Sequence, residues 1–428
     1  MTCAIETRVD RARGPFLVWV MLGAGPLFAS PSDISCAPGA YRSPTGELAA
    51  VVRVPPALHY TLLGGLRGDL AAEDSPLECE KGEVRSRHGE AWSRLEFKST
   101  DIDFYSHGTR LHGVLLQPQA VSTKAPLVVL VHGSERTSPN GSSHQQLFTA
   151  QGVATFAYDK RGTARSQGVY TQDFMLLADD AAAAVQAARR ACRGCFSRVG
   201  LHGGSQGGWI APRAALESKA DFVEVSFGVL GTPLEQDQWQ VDYQLRELGF
   251  APDFAVHAVT DATAKVAASD FTRGLDALDD IRRRYGREPW FPKLDGQYTG
   301  ELMRGEIDRA RVESPAVPWR YDSIAVVRKL KIPQLWVFAE EDATAPSAPS
   351  ISRLDALRAQ GMDATIVVFP HTDHGISTFV TEAPGQRRRT GLADGYLRLI
   401  ADWSKGIFRP PYGDAVVREA VKRHGREH

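Results

Sequence analysis

Residues 201–212 read LHGGSQGGWIAP, and this stretch decides the fold. The strand-like run RVGLH leads into it, and the helix-like run GGWIAPRAALES follows Gln206. Between them lies the pattern G-x-S-x-G, with Gly203 and Gly207 on either side of Ser205. A sharp strand-to-helix turn strains its central residue, and its glycines must lack side chains because strand and helix nearly touch there. The pattern therefore predicts that Ser205 is a nucleophile exposed at the carboxyl edge of a sheet.

Strand and helix patterns alternate on both sides of this turn. The continuous apolar run APLVVLV at 125–131 is typical of a strand buried on both faces. GVATFAY at 152–158 and FVEVSFGVL at 222–230 are further strand-like runs, with helix-like runs at 145–152 and 174–191. Such alternation predicts an α/β fold, a doubly wound and mostly parallel sheet with helices on both sides. We assign residues 99–232 to the first part of this core.

Residues 233–320 show amphipathic helical patterns and no clear strand. The strand pattern resumes at KIPQLWVFA, 331–339, and at ATIVVF, 364–369. A helical insertion between two strands is typical of a cap over an active site, and an unrelated helical domain is the alternative. We assign residues 321–407 to the second part of the core and 408–428 to a C-terminal tail.

The N-terminal region contains two further segments. Arginines precede the apolar run PFLVWVMLGAGPLFAS, which predicts a secretory signal over residues 1–30, and an uncleaved anchor or an apolar tail is the alternative. Residues 37–98 show short alternating runs between turn signals, which predict a small β module beside the core. The signal favours a secreted or periplasmic protein with no membrane attachment after cleavage.

Charge and cysteine content narrow the choice of partners. The 50 basic and 51 acidic residues give a net charge of −1 without a basic stripe, which excludes a typical nucleic-acid surface. Removal of the signal leaves four cysteines, an even number compatible with two disulfides in an oxidising compartment, Cys36–Cys79 and Cys192–Cys195. The second pair follows a helix-like run, so it lacks the helix N-terminus typical of redox-active C-x-x-C pairs.

A serine hydroxyl needs a base that takes its proton and an acid that holds the base. ATIVVFPHTDHGI offers two bases; we favour His374, because the next glycine suits a loop that returns over the sheet, and keep His371 as the alternative. LWVFAEEDATAP offers three acids at the end of a strand. We favour Asp342, whose short side chain can turn toward the histidine, over Glu340 and Glu341.

Two backbone N–H groups must receive the charge that develops on a substrate carbonyl oxygen, and the loss of one such donor typically costs roughly 3 to 4 kcal/mol. Gln206, directly after the nucleophile, supplies one donor. The loop after LVVLV reads His132-Gly133-Ser134-Glu135, and we assign the second donor to the N–H of Ser134. His132 precedes this loop, where a structural hydrogen bond is favoured over a role as base.

The motifs VLVHGSE, AYDKRGTARSQG, GLHGGSQGGWIAP, FAEEDATAP and HTDHG occur in this order between residues 105 and 405. In this order they resemble an α/β-hydrolase of the bacterial serine esterase and aminopeptidase-like group. The resemblance implies a helical cap and supporting roles for Asp159 and Arg161. Ala339, where the family often has glycine, and Glu135, where it usually has a small residue, depart from the pattern. The second departure leaves the polarity of the oxyanion site open.

Together these features predict a serine hydrolase that cleaves small carboxylic esters without a metal or organic cofactor. Amide or thioester hydrolysis, an aminopeptidase-like activity and a non-catalytic binding protein of the same fold are the alternatives. Aromatic residues of the insertion line either an acyl pocket or the interior of the cap itself. They are Trp239, Tyr243, Phe250, Phe254, Trp290 and Phe291.

Overall fold

A computed structural model describes residues 36–119 and 124–418. The predicted signal over residues 1–30 therefore lies outside the described residues. The predicted C-terminal tail is described only as far as Arg418.

The N-terminal β module consists of short antiparallel strands. They are β1 Gly39–Arg42, β2 Leu48–Val54, β3 Ala57–Leu62, β4 Arg67–Asp69, β5 Leu77–Glu80, β6 Glu83–Ser86 and β7 Ser93–Arg94. In this part of the chain, β4-β3-β2-β1-β7 form one sheet, and β5 pairs with β6. The module has its own small apolar interior, and the Cys36–Cys79 disulfide joins its first residues to β5.

A large, mostly parallel sheet forms the centre of the molecule. Its strands are β8 Phe97–Ser106, β9 Thr109–Pro118, β10 Leu127–Val131, β11 Ala154–Tyr158, β12 Val199–Gly204, β13 Phe222–Ser226, β14 Gln334–Ala339 and β15 Ala364–Phe369. From β10 to β15 all strands run parallel, while the β8–β9 hairpin adds antiparallel strands next to β11. Every residue of β10, β11, β13 and β14 is buried, as expected for continuous apolar runs between two helical layers. The structure confirms the predicted fold class.

The helices connect these strands and cover both faces of the sheet. They are α1 Ser143–Ala150, α2 Phe174–Ala191, α3 Gly207–Ser218, α4 Pro233–Glu247, α5 Phe254–Ala267, α6 Leu275–Tyr285, α7 Thr299–Arg304, α8 Ile307–Glu313, α9 Ser323–Lys329, α10 Ser347–Ala359 and α11 Tyr396–Ser404, with a 3₁₀ turn at Phe291–Lys293. From α4 to α8 the helices follow one another without an intervening strand, as the sequence predicts. In the described part of the chain, no helix is both long and apolar enough to cross a membrane.

Two features near the C-terminus were not predicted. The strands β16 Thr372–Asp373, β17 Ser377–Ala383 and β18 Gln386–Leu392 form a small antiparallel sheet between β15 and α11. A further strand, β19 Val416–Arg418, pairs antiparallel with β15 inside the segment assigned to the tail. Neither strand shows the alternation of apolar and polar residues that is typical of strands, because β18 contains a run of arginines and β19 has only three residues.

Candidate active site

Ser205 lies at the turn between β12 and α3 with a φ of 53°, in the left-handed region that residues with a Cβ rarely adopt. A Cβ on Gly203 would lie 2.3 Å from the carbonyl oxygen of Gly207, and one on Gly207 would lie 2.8 Å from that of Val131. Both glycines are therefore required by close backbone approach, which is the reason that the sequence pattern implied.

The structure brings Ser205, His374 and Asp342 together from three separate loops. Ser205 Oγ lies 3.0 Å from His374 Nε2, and His374 Nδ1 lies 2.9 Å from Asp342 Oδ2. Asp342 is 1% exposed and also accepts hydrogen bonds from the backbone N–H groups of Thr344 and Ala345. The aspartate is thus fixed by its own loop while it faces the imidazole. This geometry suits proton transfer from the serine, and the catalytic roles remain a prediction.

The alternative base and acids face elsewhere. The side chain of His371 is 88% exposed, and its Nδ1 lies 3.3 Å from Glu341. Glu340 accepts a hydrogen bond from the backbone N–H of His371. The ligand atoms of these three residues lie within 4.8 Å of one another, but exposed acidic groups are common without a bound ion. Only His374 and Asp342, among these candidates, connect to Ser205.

The predicted oxyanion donors lie in the same cavity wall as Ser205, since both Ser134 and Gln206 line that cavity. Neither backbone N–H donates a hydrogen bond to another group of residues 36–119 or 124–418. The N–H of Gly133 is occupied, because it donates to Glu135 Oε1 at 3.1 Å. This leaves two backbone donors beside the nucleophile, as an oxyanion site requires.

His132 makes the kind of structural hydrogen bond that the sequence analysis favours. Its Nε2 lies 2.8 Å from the carbonyl oxygen of Tyr158 at the end of β11. Burial, with a smaller contribution from the positive charge of Lys160, lowers the pKa of His132 to about 3. The imidazole is therefore neutral near pH 7 and holds the start of the oxyanion loop against the neighbouring strand.

Residues 122–260 match the family model described as serine aminopeptidase, S33. The matched segment contains β10 to β13 and the Ser205 turn, and the sheet around it has the strand order β19-β15-β14-β13-β12-β10-β11-β9-β8. The sheet and helices of this chain have the α/β-hydrolase fold, and residues 122–260 are similar to the family that the model describes. The predicted resemblance is thereby confirmed at the level of the superfamily.

Solved structures similar to this chain include an esterase of Pyrococcus furiosus, at 13% identity over 65% of this chain and 84% of that one, with a TM-score of 0.43. An acylaminoacyl peptidase of Pyrococcus horikoshii shares 18% identity over 79% of this chain but only 46% of its own, with a TM-score of 0.40. Est1E from Butyrivibrio proteoclasticus, with ferulic acid bound, shares 18% sequence identity over 71% of this chain and 96% of its own, with a TM-score of 0.40. A sequence comparison with curated proteins finds no match.

A buried lysine lies behind the predicted oxyanion loop, His132 to Glu135, and the sequence analysis missed it. Lys160 follows β11 and is fully buried. Its Nζ donates to the carbonyl oxygen of Gly133 and, at 3.3 Å, to Gln206 Oε1. Burial lowers the pKa of Lys160 to about 8. A lysine between two charged residues at the end of a buried strand was the available signal, but the motif drew attention to its neighbours instead.

Those neighbours have the supporting positions that the resemblance implies. Arg161 pairs with buried Asp180 at 2.6 Å. Asp159 accepts hydrogen bonds from Asn140 Nδ2 and from the backbone N–H of Arg165. Arg161 thus contacts α2 and the β8–β9 hairpin, Asp159 contacts the loops around Asn140 and Arg165, and neither side chain is hydrogen-bonded to Ser205 or His374.

A second cation, Arg387 on β18, contacts the loop that contains Asp342. Its guanidinium donates to the carbonyl oxygen of Glu341 at 2.5 Å and to the Glu247 carboxylate at 2.6 Å. It also lies over the ring of Phe379, 4.3 Å from the centroid. Arg387 therefore connects the unpredicted hairpin, helix α4 and the residue directly before Asp342.

A cavity of about 410 Å³ opens beside Ser205 and His374. Its apolar wall contains Phe174, Trp209, Phe227, Val317 and Trp319, and its polar wall contains Gln172, Gln236, Gln297, Glu313 and Arg389. None of the six aromatic residues considered for this pocket lines it. Trp290, for example, is buried in the helical segment beside Tyr285 and Phe291. Three of the four aromatic residues of this wall belong to the core, Phe174 and Trp209 in the first turns of α2 and α3 and Phe227 directly after β13, while Trp319 belongs to the insertion.

Proposed function

We propose that this protein is a serine hydrolase that cleaves small carboxylic esters through an acyl-enzyme intermediate. The observation that carries the proposal is the unbroken path from Ser205 Oγ through the His374 imidazole to the Asp342 carboxylate, with contacts of 3.0 Å and 2.9 Å. Nucleophile, base and orienting acid are the three groups that this chemistry needs, and they occur in chain order Ser, Asp, His.

In the first half-reaction, Ser205 Oγ bonds to the carbonyl carbon while His374 Nε2 takes the hydroxyl proton. The electron pair of the C=O bond moves onto oxygen, where the N–H groups of Ser134 and Gln206 stabilise it. Asp342 accepts the Nδ1–H hydrogen bond and stabilises the imidazolium. Collapse of the tetrahedral species re-forms the C=O bond and breaks the bond to the leaving alcohol, which takes the proton from His374.

In the second half-reaction, a water molecule attacks the acyl-enzyme while His374 takes its proton. The N–H groups of Ser134 and Gln206 again stabilise the negative charge that develops on the carbonyl oxygen. The bond between the acyl carbon and Ser205 Oγ then breaks, and His374 returns the proton to Ser205. The products are a carboxylic acid and the free enzyme, and these steps use only side chains and backbone groups of this chain.

The size of the cavity supports a small substrate, since about 410 Å³ is near the lower end of the range for ligand pockets. Residues of the helical insertion, Gln236, Gln297, Val317 and Trp319, face the same cavity, which supports a role for residues 233–320 as the cap. A second candidate is amide hydrolysis of the aminopeptidase type, because the family model that matches residues 122–260 carries that description.

The location that we propose is outside the cytoplasm. The Cys36–Cys79 and Cys192–Cys195 disulfides of the structure support it, because disulfides persist in oxidising compartments. Recovery of the enzyme from the periplasm or medium of a bacterial host, rather than from its cytosol, would test this part of the proposal.

Labelling and substitution test the mechanism directly. A serine-reactive phosphonate should attach one equivalent per chain at Ser205, and Ser205→Ala should abolish labelling and lower kcat by roughly 10⁴-fold or more. His374→Ala should behave similarly, whereas the matched control His371→Ala should retain the wild-type rate. Uptake of no phosphonate, or undiminished hydrolysis by Ser205→Ala, would contradict the proposal.

A panel of p-nitrophenyl esters and aminoacyl-anilides separates the two candidate substrate classes. We expect kcat/KM to be highest for esters with short acyl chains, because the cavity is small and partly polar. A higher kcat/KM for aminoacyl-anilides would favour the aminopeptidase-type activity instead.

A further inference from the structure

The side chain of Lys160 is unusual because its ammonium is buried and forms no salt bridge within the described residues, although the more distant carboxylate of Glu135 attracts it. Lys160 is fully buried, and in residues 36–119 and 124–418 no carboxylate lies within 4.0 Å of its Nζ. A buried charge is costly unless hydrogen bonds compensate for its lost hydration. Here the compensating acceptors are the carbonyl oxygen of Gly133 and Gln206 Oε1.

The first acceptor belongs to an oxyanion donor. The carbonyl of Gly133 and the N–H of Ser134 are the two ends of one peptide group, and in a planar trans peptide they point in opposite directions. An ammonium that holds the oxygen on the interior side therefore orients the N–H toward the opposite side, where Ser134 lines the cavity. The same bond polarises the peptide and strengthens its N–H as a donor.

The second acceptor belongs to the other oxyanion donor. Gln206 Oε1 accepts from Lys160 at 3.3 Å, while Gln206 Nε2 donates to Gln172 Oε1 at 2.9 Å. Both ends of this side-chain amide are thus engaged, which fixes the residue that also carries the backbone N–H beside Ser205. One ammonium consequently contacts both residues that supply the predicted donors.

We propose that Lys160 is the positioning residue of the oxyanion site, where its ammonium orients the Gly133–Ser134 peptide and Gln206 toward the substrate carbonyl. The proposal rests on the proposed function, because it assigns a role to the donors of that reaction. It gives Lys160 no contact with substrate and no proton transfer.

The test compares Lys160→Met with Arg161→Met. Both remove a buried cation from the same turn, but Arg161 pairs with Asp180 and contacts neither oxyanion donor. For p-nitrophenyl acetate at pH 7, Lys160→Met should lower kcat per phosphonate-labelled serine by about 100-fold, comparable to the loss of an oxyanion donor. KM should change by less than about 3-fold, because ground-state binding is retained. Arg161→Met should lower the melting temperature yet keep kcat per labelled serine.

A pH profile supplies a second readout if Lys160→Met does not fold. The charged or titratable groups around Lys160 are Glu135 and Arg136 of the same loop, His132 before it and Tyr170 across from it. Since the pKa of Lys160 is about 8, wild-type kcat/KM should fall above that pH as the ammonium loses its proton. Lys160→Arg should move this fall above about pH 10, because a guanidinium stays protonated there.

The outcomes separate the two proposals. An unchanged kcat per labelled serine in Lys160→Met, or the same alkaline midpoint in wild type and Lys160→Arg, would overturn the role of Lys160 while the serine mechanism stands. A wild-type chain that takes up no phosphonate and hydrolyses no ester would instead refute the proposed function.

Discussion

The two loops beside Ser205 are held by cations in different ways. Lys160 contacts the oxyanion loop from within the core, where it is fully buried and its ammonium donates hydrogen bonds to two neutral oxygens. Arg387 contacts the acid loop from a hairpin outside the main sheet, among the carboxylates of Glu247, Glu341 and Asp373. In the first loop the contact with the Gly133 carbonyl comes from one ammonium, whereas in the second loop Arg387 makes several overlapping contacts.

This difference indicates how strongly each loop should respond to the removal of a single contact. The carboxylate of Asp342 accepts N–H groups from its own loop, so its position does not depend on Arg387 alone. Among residues 36–119 and 124–418, Lys160 is the group that donates a hydrogen bond to the carbonyl of the Gly133–Ser134 peptide, and no other donor to it is found there. A buried polar contact without an alternative partner is costly to remove, whereas one contact in a network can be partly replaced.

The largest effect in this comparison should come from the acid itself. In Asp342→Asn the side-chain amide would donate to His374 Nδ1 and leave Nε2 protonated, so the histidine could not take the Ser205 proton. We expect kcat to fall by about 10⁴-fold with little change in the melting temperature. Glu340→Gln, on the same loop but exposed, should retain the wild-type kcat. A loss below tenfold in Asp342→Asn would show that another group orients the imidazole.

A smaller effect should follow from the release of the acid loop. Arg387→Met removes the contacts with Glu341 and Glu247 but keeps those that Thr344 and Ala345 make to Asp342. We expect kcat to fall by about 10-fold, through small misplacement of the acid loop.

The matched control for Arg387 is Arg388→Met, since Arg388 is the next residue of β18 and pairs with Glu382 on the exposed face. Its steady-state kinetics should equal those of the wild type. If Arg387→Met lowers kcat as much as Lys160→Met does, the contrast between the two loops is wrong.

The smallest effect should come from Glu135, whose carboxylate accepts from the N–H of Gly133 near the oxyanion site. Glu135→Gln preserves an acceptor oxygen and removes a negative charge that opposes the developing oxyanion. We expect kcat to rise by up to about 3-fold, because solvent partly screens the repulsion between the Glu135 carboxylate and the oxyanion. Steady-state kinetics at two salt concentrations would check this, and a substantial decrease in kcat at low salt would mean that the charge of Glu135 supports the site.

The sequence by itself determined the alternation of strands and helices, the Ser205 turn and the choice of His374 and Asp342 as its partners in space. These features follow from local rules. Continuous apolar runs predict buried parallel strands. Two glycines around Ser205 indicate that strand and helix approach each other too closely there for a side chain. The catalytic assignment of these residues still awaits the labelling experiment.

Only the tertiary structure decided the contacts of Lys160 and Arg387, the β17–β18 hairpin, the edge strand β19 and the walls of the cavity. Each depends on contacts between segments far apart in sequence, such as Arg387 with Glu247, or Lys160 with Gln206. A lysine or an arginine has the same local pattern whether it is solvated or buried. Its partners depend on how the strands and loops pack, and the local sequence pattern does not show this packing.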